Sequence, residues 1–173
     1  SIVVPIKNEA ENIQKLTREI KKACNKIKFE ILFVNDGSND NSINILKILK
    51  KENKTLRILN HNFSKGQSAA LKTGIHNSSY EIIVTLDGDC QNDPKDIPAM
   101  LKKFANHSEN DLLLIGGVRV NRKDNLGKKI ASKFGKFFRR HLLNDDHPDT
   151  GCGIKVFHKK LYLSLIHISE PTR

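Results

Sequence analysis

Asp87-Gly88-Asp89 sets two carboxylates one residue apart with a glycine between them, directly after the apolar run Ile82-Ile83-Val84-Thr85-Leu86. Glycine tolerates the tight turns that let both acids face one small volume. Mg2+ and Mn2+ take oxygen ligands and complete their shells with substrate phosphates. Asp87, Asp89 and the amide oxygen of Gln91 are therefore candidate ligands for such an ion holding a diphosphate. Taken alone, the triplet makes an ordinary surface turn just as readily; the apolar run before it is what favours chemistry. Two further polar clusters stand in the same relation to an apolar run: Lys7-Asn8-Glu9 after residues 2–6, and Asn35-Asp36-Gly37-Ser38 after residues 30–34.

The elements that would position these clusters alternate along the chain. Strands are predicted at residues 1–6, 30–34, 56–59, 81–86 and 111–115, from short apolar runs closed by turn formers. Between them lie helical stripes. Ile13, Leu16, Ile20 and Ile27 make the first, preceded by Asn8 and an acidic third position that read as a capping box. Ile43, Leu46 and Leu49 make the second, residues 66–74 a third rich in small residues, and Ile97, Leu101 and Phe104 a fourth with Pro94 near its start. Strand–helix alternation of this length predicts an α/β class with a mostly parallel central sheet and helices on both faces. In such sheets ligands bind beyond the carboxyl ends of the strands, where all three polar clusters fall.

Several classes are disfavoured. No GxGxxG follows the first strand and no GxxxxGK[ST] occurs, against dinucleotide and P-loop folds. An aspartyl phosphatase would carry its paired acids on the first strand. Thirty Lys and Arg against nineteen Asp and Glu give a net charge of +11, which favours anionic partners. A lysine-rich solvated surface accounts for part of that excess. With two Tyr and no Trp there is little for nucleic-acid bases to stack on, so a basic nucleic-acid-binding module is the weaker alternative and no nucleic acid partner is expected. Cys24, Cys90 and Cys152 lack metal or disulfide spacing, which fits a reducing, cytoplasmic setting. No run of about 20 apolar residues is present to span a bilayer.

Pro5-Ile6-Lys7-Asn8-Glu9, Val34-Asn35-Asp36-Gly37-Ser38 and Asp87-Gly88-Asp89-Cys90-Gln91, in this order, resemble the motifs of the inverting, family 2-like glycosyltransferases. The branch they resemble holds dolichyl-phosphate mannose synthase and bacterial polyprenyl-phosphate glycosyltransferases. The resemblance covers residues 1–162 and implies a GT-A-like nucleotide-diphospho-sugar transferase. It implies that Pro5, Glu9 and Asp36 line the base and ribose pocket, that Asp87 and Gly88 support the nucleotide, and that Asp89 and Gln91 hold Mg2+ or Mn2+. Asp89, Asp87 and Arg119 would be catalytic, Arg119 through a phosphate contact. Arg122 and Asp149 would lie on the acceptor side, although Pro148-Asp149-Thr150-Gly151 also reads as a plain turn. Glu9 is equally well placed simply to stabilise the first turn of a helix. Two residues depart from the family pattern: Asn35 stands where an acid is usual and Lys7 where an aromatic is usual, both on the base side.

The donor is thus expected to be a UDP- or GDP-linked sugar. A phosphate monoester acceptor, with a second pKa near ~6, is already ionised and needs cations rather than a base. Arg119, Arg122, Lys123, Lys128, Lys129, Lys133, Lys136, Arg139 and Arg140 supply them, with Phe134, Phe137 and Phe138 interleaved. These phenylalanines suit either a helix packed on the core or a lipid interface. The expected acceptor is a polyprenyl phosphate at the cytosolic face of an anionic membrane; a hydroxyl acceptor in polysaccharide or glycolipid synthesis is the alternative. The chain opens on Ser1 inside a strand, and residues 163–173 resemble a translated sequencing adapter. Both ends are therefore expected to be truncated, with a catalytic domain over residues 1–162 and membrane helices to follow.

Overall fold

The computed structural model describes residues 1–107, 113–117 and 152–169, with side chains described as far as Ser164. Six strands form one sheet: β1 (Ile2–Ile6), β2 (Ile31–Asp36), β3 (Leu56–His61), β4 (Ile82–Thr85), β5 (Leu114–Gly116) and β6 (Lys155–His158). The helices are α1 (Ala10–Ala23), α2 (Ser42–Glu52), α3 (Gln67–His76), α4 (Asp96–Ala105) and α5 (Lys159–Ser169). The spatial order is β3-β2-β1-β4-β6-β5. The first four strands run parallel, and β6 runs antiparallel to both of its neighbours. The α/β architecture is therefore as expected, with one strand more than the sequence indicated.

The chain proceeds outward from β1 to β2 and β3, then returns to place β4 on the other side of β1. That reversal is a topological switch point, where neighbouring loops leave in opposite directions and open a crevice at the carboxyl ends of the strands. Pro5 helps to open it. Val3 is the last β1 residue paired with β4, its carbonyl accepting from Leu86 N–H at 3.1 Å. Backbone groups alternate along a strand, so Pro5 turns its missing N–H to the β4 side, beyond the last paired residue, where no ladder bond is lost. β1 and β2 are buried throughout, as expected of central strands covered on both faces.

One core lies beneath α1, α2 and α4, around Val4, Ile6, Ile13, Leu16, Ile20, Phe33 and Leu46. The other lies beneath α3 and α5, around Val3, Val34, Ala70, Ile75, Ile83, Phe157 and Leu161. Adjacent strand residues thus serve opposite cores, as the pleat requires. Gly74 brings α3 close to the sheet: a Cβ there would lie 2.3 Å from Val3 Cγ1 and 3.0 Å from Val34 Cγ2.

Three local expectations need correction. Asn8 does not cap α1; it has a positive φ of 59°, and its Oδ1 accepts from Asn39 N–H at 2.9 Å. The start of α1 is capped from the β2–α2 loop instead, Asp40 Oδ2 accepting from Ala10 N–H and Ser42 Oγ from Glu9 N–H. Ile27 lies beyond the end of α1 and is 36% exposed. The strand expected over residues 111–115 is described only as Leu114–Gly116, at the sheet edge outside the unanticipated β6. The helix α5 runs without a break across residues 162 and 163.

Gly74→Val should destabilise the protein by about 1–3 kcal/mol through overpacking, lowering the thermal midpoint by roughly 2–12 °C. Far-UV circular dichroism melts measure this. An unchanged midpoint would mean that α3 does not press on Val3 and Val34.

Candidate active site at the switch point

The three polar clusters converge. A cleft of about 390 Å3 at the carboxyl ends of β1, β2 and β4 is lined by Pro5, Ile6, Lys7, Glu9, Asp36, Asp87, Gly88 and Asp89, together with Ser64 and Gly66 from the β3–α3 loop and Gln67 at the start of α3. The loops after the four parallel strands each carry one residue with positive φ: Asn8, Gly37, Gly66 and Cys90. These conformations cost a non-glycine residue on the order of 1–3 kcal/mol and tend to gather at functional sites. Gly88 is required by close approach, since a Cβ there would lie 2.8 Å from Ile6 Cγ2 and 3.2 Å from the Pro5 carbonyl oxygen.

Asp36 organises one wall. It is 3% exposed, and both carboxylate oxygens are saturated. Oδ1 takes His61 Nδ1 at 2.7 Å and Lys65 N–H at 2.8 Å; Oδ2 takes the Ser64 hydroxyl at 2.7 Å and Gly66 N–H at 2.9 Å. Burial acts against the charge, but the Lys65 N–H, His61, the Ser64 hydroxyl and the Gly66 N–H outweigh it and hold the carboxyl far below the usual range. The magnitudes agree: four charge-assisted bonds at about 1.5–3 kcal/mol each exceed a desolvation cost of several kcal/mol. His61 is fixed in turn by Thr73 Oγ1 at 2.9 Å from Nε2. Lys7 Nζ donates to Ser64 Oγ at 3.0 Å, tying the β1 loop to the same cluster.

The opposite wall carries the acids. Asp87 Oδ1 accepts from Gln67 Nε2 at 2.8 Å. Its other oxygen lies over Gly153, where a Cβ would stand 1.9 Å away, while Thr85 Oγ1 donates to the Gly153 carbonyl at 2.7 Å. Asp89 Oδ1 accepts from Gln91 N–H at 3.0 Å. The Gln91 side chain is exposed and is not among the residues lining the cleft. Glu9 Oε2 is held by Asn12 Nδ2 at 2.7 Å, and the Glu9 carbonyl begins α1, so this residue serves the helix as well as the cleft. Asn35 bonds Asn60 and Ser38 N–H within the same set of loops.

Among the described residues no three His, Cys, Asp or Glu side chains cluster into a complete metal cage. Asp87 and Asp89 offer hard oxygen donors at an open cleft. That fits Mg2+ or Mn2+, which binds through one or two carboxylates and draws the rest of its shell from phosphates and water. Arg119, Arg122 and Asp149 lie outside the described residues, as does the basic segment of residues 119–140. Sequence reasoning missed His61, Ser64, Gln67 and Gly153. The run of small and polar residues from Ser64 to Ser68 was the one available signal, but no spacing rule assigns it a role. All three cysteines are free, and among the described residues no helix is long and apolar enough to cross a membrane.

Two substitutions test this arrangement. Asp36→Asn should lower the melting temperature at pH 7. Because folding depresses the carboxyl pKa, Asp36 contributes fully above the ordinary Asp value of ~3.9 and loses its contribution as pH falls further. The gap between wild type and variant should therefore narrow below about pH 4 in melts across a pH series, and a pH-independent gap would contradict the charge-based account. Gly153→Ala should displace the Asp87 carboxylate, seen as a shifted side chain in a crystal structure of the variant.

The sequence profile of glycosyl transferase family 2 matches residues 1–165. Glucosyl-3-phosphoglycerate synthase from Mycobacterium tuberculosis, solved with Mn2+, UDP and glucosyl-3-phosphoglycerate, superimposes with a TM-score of 0.72 at 16% identity, covering 92% of this chain and 56% of that one. A mannosyltransferase from Pyrobaculum calidifontis, solved with GDP-Man and Mn2+, gives a TM-score of 0.66 at 19% identity, covering 95% and 45%. The Mycobacterium enzyme has also been solved with Mg2+ and UDP, with a TM-score of 0.65 at 16% identity and coverages of 92% and 56%. The chain thus spans about half the length of these structures, and at such identities the likeness is one of fold. A profile match over nearly the whole chain, on a sheet whose switch-point cleft gathers the expected acids, makes this protein a member of glycosyl transferase family 2.

Proposed function

We propose that this chain is the donor-binding catalytic core of an inverting, metal-dependent glycosyltransferase that uses a UDP- or GDP-linked sugar. The observation that carries the reading is the convergence of Pro5, Glu9, Asp36, Asp87, Gly88 and Asp89 in one cleft at the switch point. Pro5, Glu9 and the Asp36-held loop form the base and ribose side, and Asp87 and Gly88 the diphosphate side. Asp89 and Asp87 are the residues that would hold Mg2+ or Mn2+, with Gln91 as the further ligand the family pattern offers. When bound, the ion neutralises charge growing on the departing diphosphate. Arg119 contributes a second positive charge to the phosphates.

The proposed acceptor is a polyprenyl phosphate, with Arg122 and Asp149 on its side of the site and the basic segment of residues 119–140 facing an anionic membrane. A phosphate oxygen of the dianion bonds to the anomeric carbon as the bond to the diphosphate breaks, and the electron pair leaves on the diphosphate. No proton need be removed, so no general base is required.

Calorimetric titration of UDP, GDP and their sugar conjugates, with and without Mn2+, is the direct test. Binding should require the metal, and Asp89→Ala should weaken it at least about tenfold, a change of about 1.4 kcal/mol. Metal-independent binding, or saturation by oligonucleotides with steep salt dependence, would overturn the assignment. Transfer of labelled sugar to dolichyl or undecaprenyl phosphate, compared with 3-phosphoglycerate, identifies the acceptor.

A further inference from the structure

Gln67 lines both the switch-point cleft and a second cavity, of about 430 Å3, between α3, α5 and the β4–β6–β5 half of the sheet. Among the described residues Asp87 is the only other one the two spaces share. The second cavity has Thr85 and Lys155 near Asp87, and Leu71, Ile75 and Phe157 farther along. Gln67 is exposed and Asp87 half-buried, with open space on either side of the pair. Packing alone therefore does not aim the carboxylate. The 2.8 Å bond from Gln67 Nε2 to Asp87 Oδ1 does, with Gly153 beneath the other oxygen.

The type of donor matters. An amide N–H takes one of the roughly four lone-pair sites on a carboxylate and adds no charge. It orients Asp87 without opposing a cation there, whereas an ammonium in its place would compete with that cation and a carboxylate would repel Asp87.

Gln67 is in turn placed by the opposite wall. It is the first residue of α3, and α3 is tied to Asp36 at two points. The N–H of Gly66, the residue before the helix, donates to Asp36 Oδ2 at 2.9 Å. Thr73 Oγ1 is bonded to His61 Nε2 at 2.9 Å, and His61 Nδ1 to Asp36 Oδ1 at 2.7 Å. The two ties are about two helical turns apart, so they set the direction of α3 as well as its position. Gly74 seats the same helix on Val3 and Val34. A rigid element thus runs from the buried anion of one wall to the amide that holds the acid of the other.

We propose that Gln67 is the positioning residue for Asp87, and that through α3 it makes metal binding at Asp87 depend on the Asp36 anchor across the cleft. The inference rests on the nucleotide-sugar reading, which makes Asp87 a ligand for Mg2+ or Mn2+, and deepens it by naming what aims that ligand. Groups that orient metal ligands are worth about ten- to a hundredfold in metal affinity. Coupling between two sites needs a connected element that both of them bias; the bonds from Asp36 through Gly66 and through His61 and Thr73 to α3, and from Gln67 to Asp87, supply one.

Calorimetric titration of the Mn2+ complexes of UDP and GDP tests this. Gln67→Met keeps the length of the side chain and removes the donor. It should weaken binding of the Mn2+–nucleotide complex at least about tenfold. Because Gln67 is exposed, the melting temperature should not change. Uridine and guanosine, which carry no phosphate to meet the metal, should bind this variant as they bind wild type. Thr73→Val cuts the tie to His61 with little change of shape. Alone it should weaken the Mn2+–nucleotide complex at least about threefold, and in the Gln67→Met background it should add nothing, since both changes act through one bond. Gln67→Met that binds the complex as tightly as wild type overturns the proposal. So does a lowered melting temperature or an equal loss of nucleoside binding in that variant, either of which marks a structural role. Losses that multiply in the double variant, as independent sites would give, overturn the coupling through α3. Wild type that binds neither nucleotide with Mn2+ sinks the transferase reading and this inference together, whereas wild type that binds and Gln67→Met that binds equally sinks this inference alone.

Discussion

The cleft depends on one buried anion. Asp36 ends β2 with its charge out of water, and the four donors that neutralise the cost come from residues 61–66, none of which belongs to β2. The β3–α3 loop is thereby wrapped around the carboxylate, and the position of α3 follows from it. Gln67, the first residue of α3, then reaches Asp87 on the far wall. A single carboxylate on one wall is linked in this way to a carboxylate on the other. Removing the anion would leave two backbone N–H groups, a hydroxyl and an imidazole to find other partners.

The strands and their closing clusters were legible because the information is local. An apolar run followed by turn formers marks both a buried strand and its end, and parallel strands carry their ends to one side of the sheet. Hence Lys7-Asn8-Glu9, Asn35-Asp36-Gly37-Ser38 and Asp87-Gly88-Asp89 could be placed together before any coordinates. Asn8 misled because the N–H groups that start α1 are satisfied by Asp40 and Ser42, side chains from a different loop. His61, Gln67 and Gly153 were invisible for the same reason: each matters through a partner distant in sequence. β6 was missed because Lys155-Val156-Phe157-His158 is short and polar at both ends, and its burial comes from sitting between two other strands.

The two cavities divide their chemistry along the sheet. The switch-point cleft is walled by carboxylates and backbone N–H groups at the ends of the parallel strands. The second cavity uses the face of β4 and β6, where alternate residues supply one cation and a set of apolar side chains. Asp87 serves both because it closely follows β4, the last parallel strand before the antiparallel one, and so stands at the change of strand direction.

That change of direction also dictates the order in which the molecule can be assembled. β5 precedes β6 in the chain but lies outside it, so β5 has no partner until β6 exists. The outer edge of β4 waits as well: Thr85 and its partner Gly153 are 68 residues apart. During synthesis, the four parallel strands can pair while the backbone of Ile83 and Thr85 remains an open edge of the kind that recruits other chains. Residues 155–158 close the sheet and bring Gly153 under Asp87 in the same event. The nascent protein therefore completes the Asp87 wall of the cleft and covers that open edge at one moment.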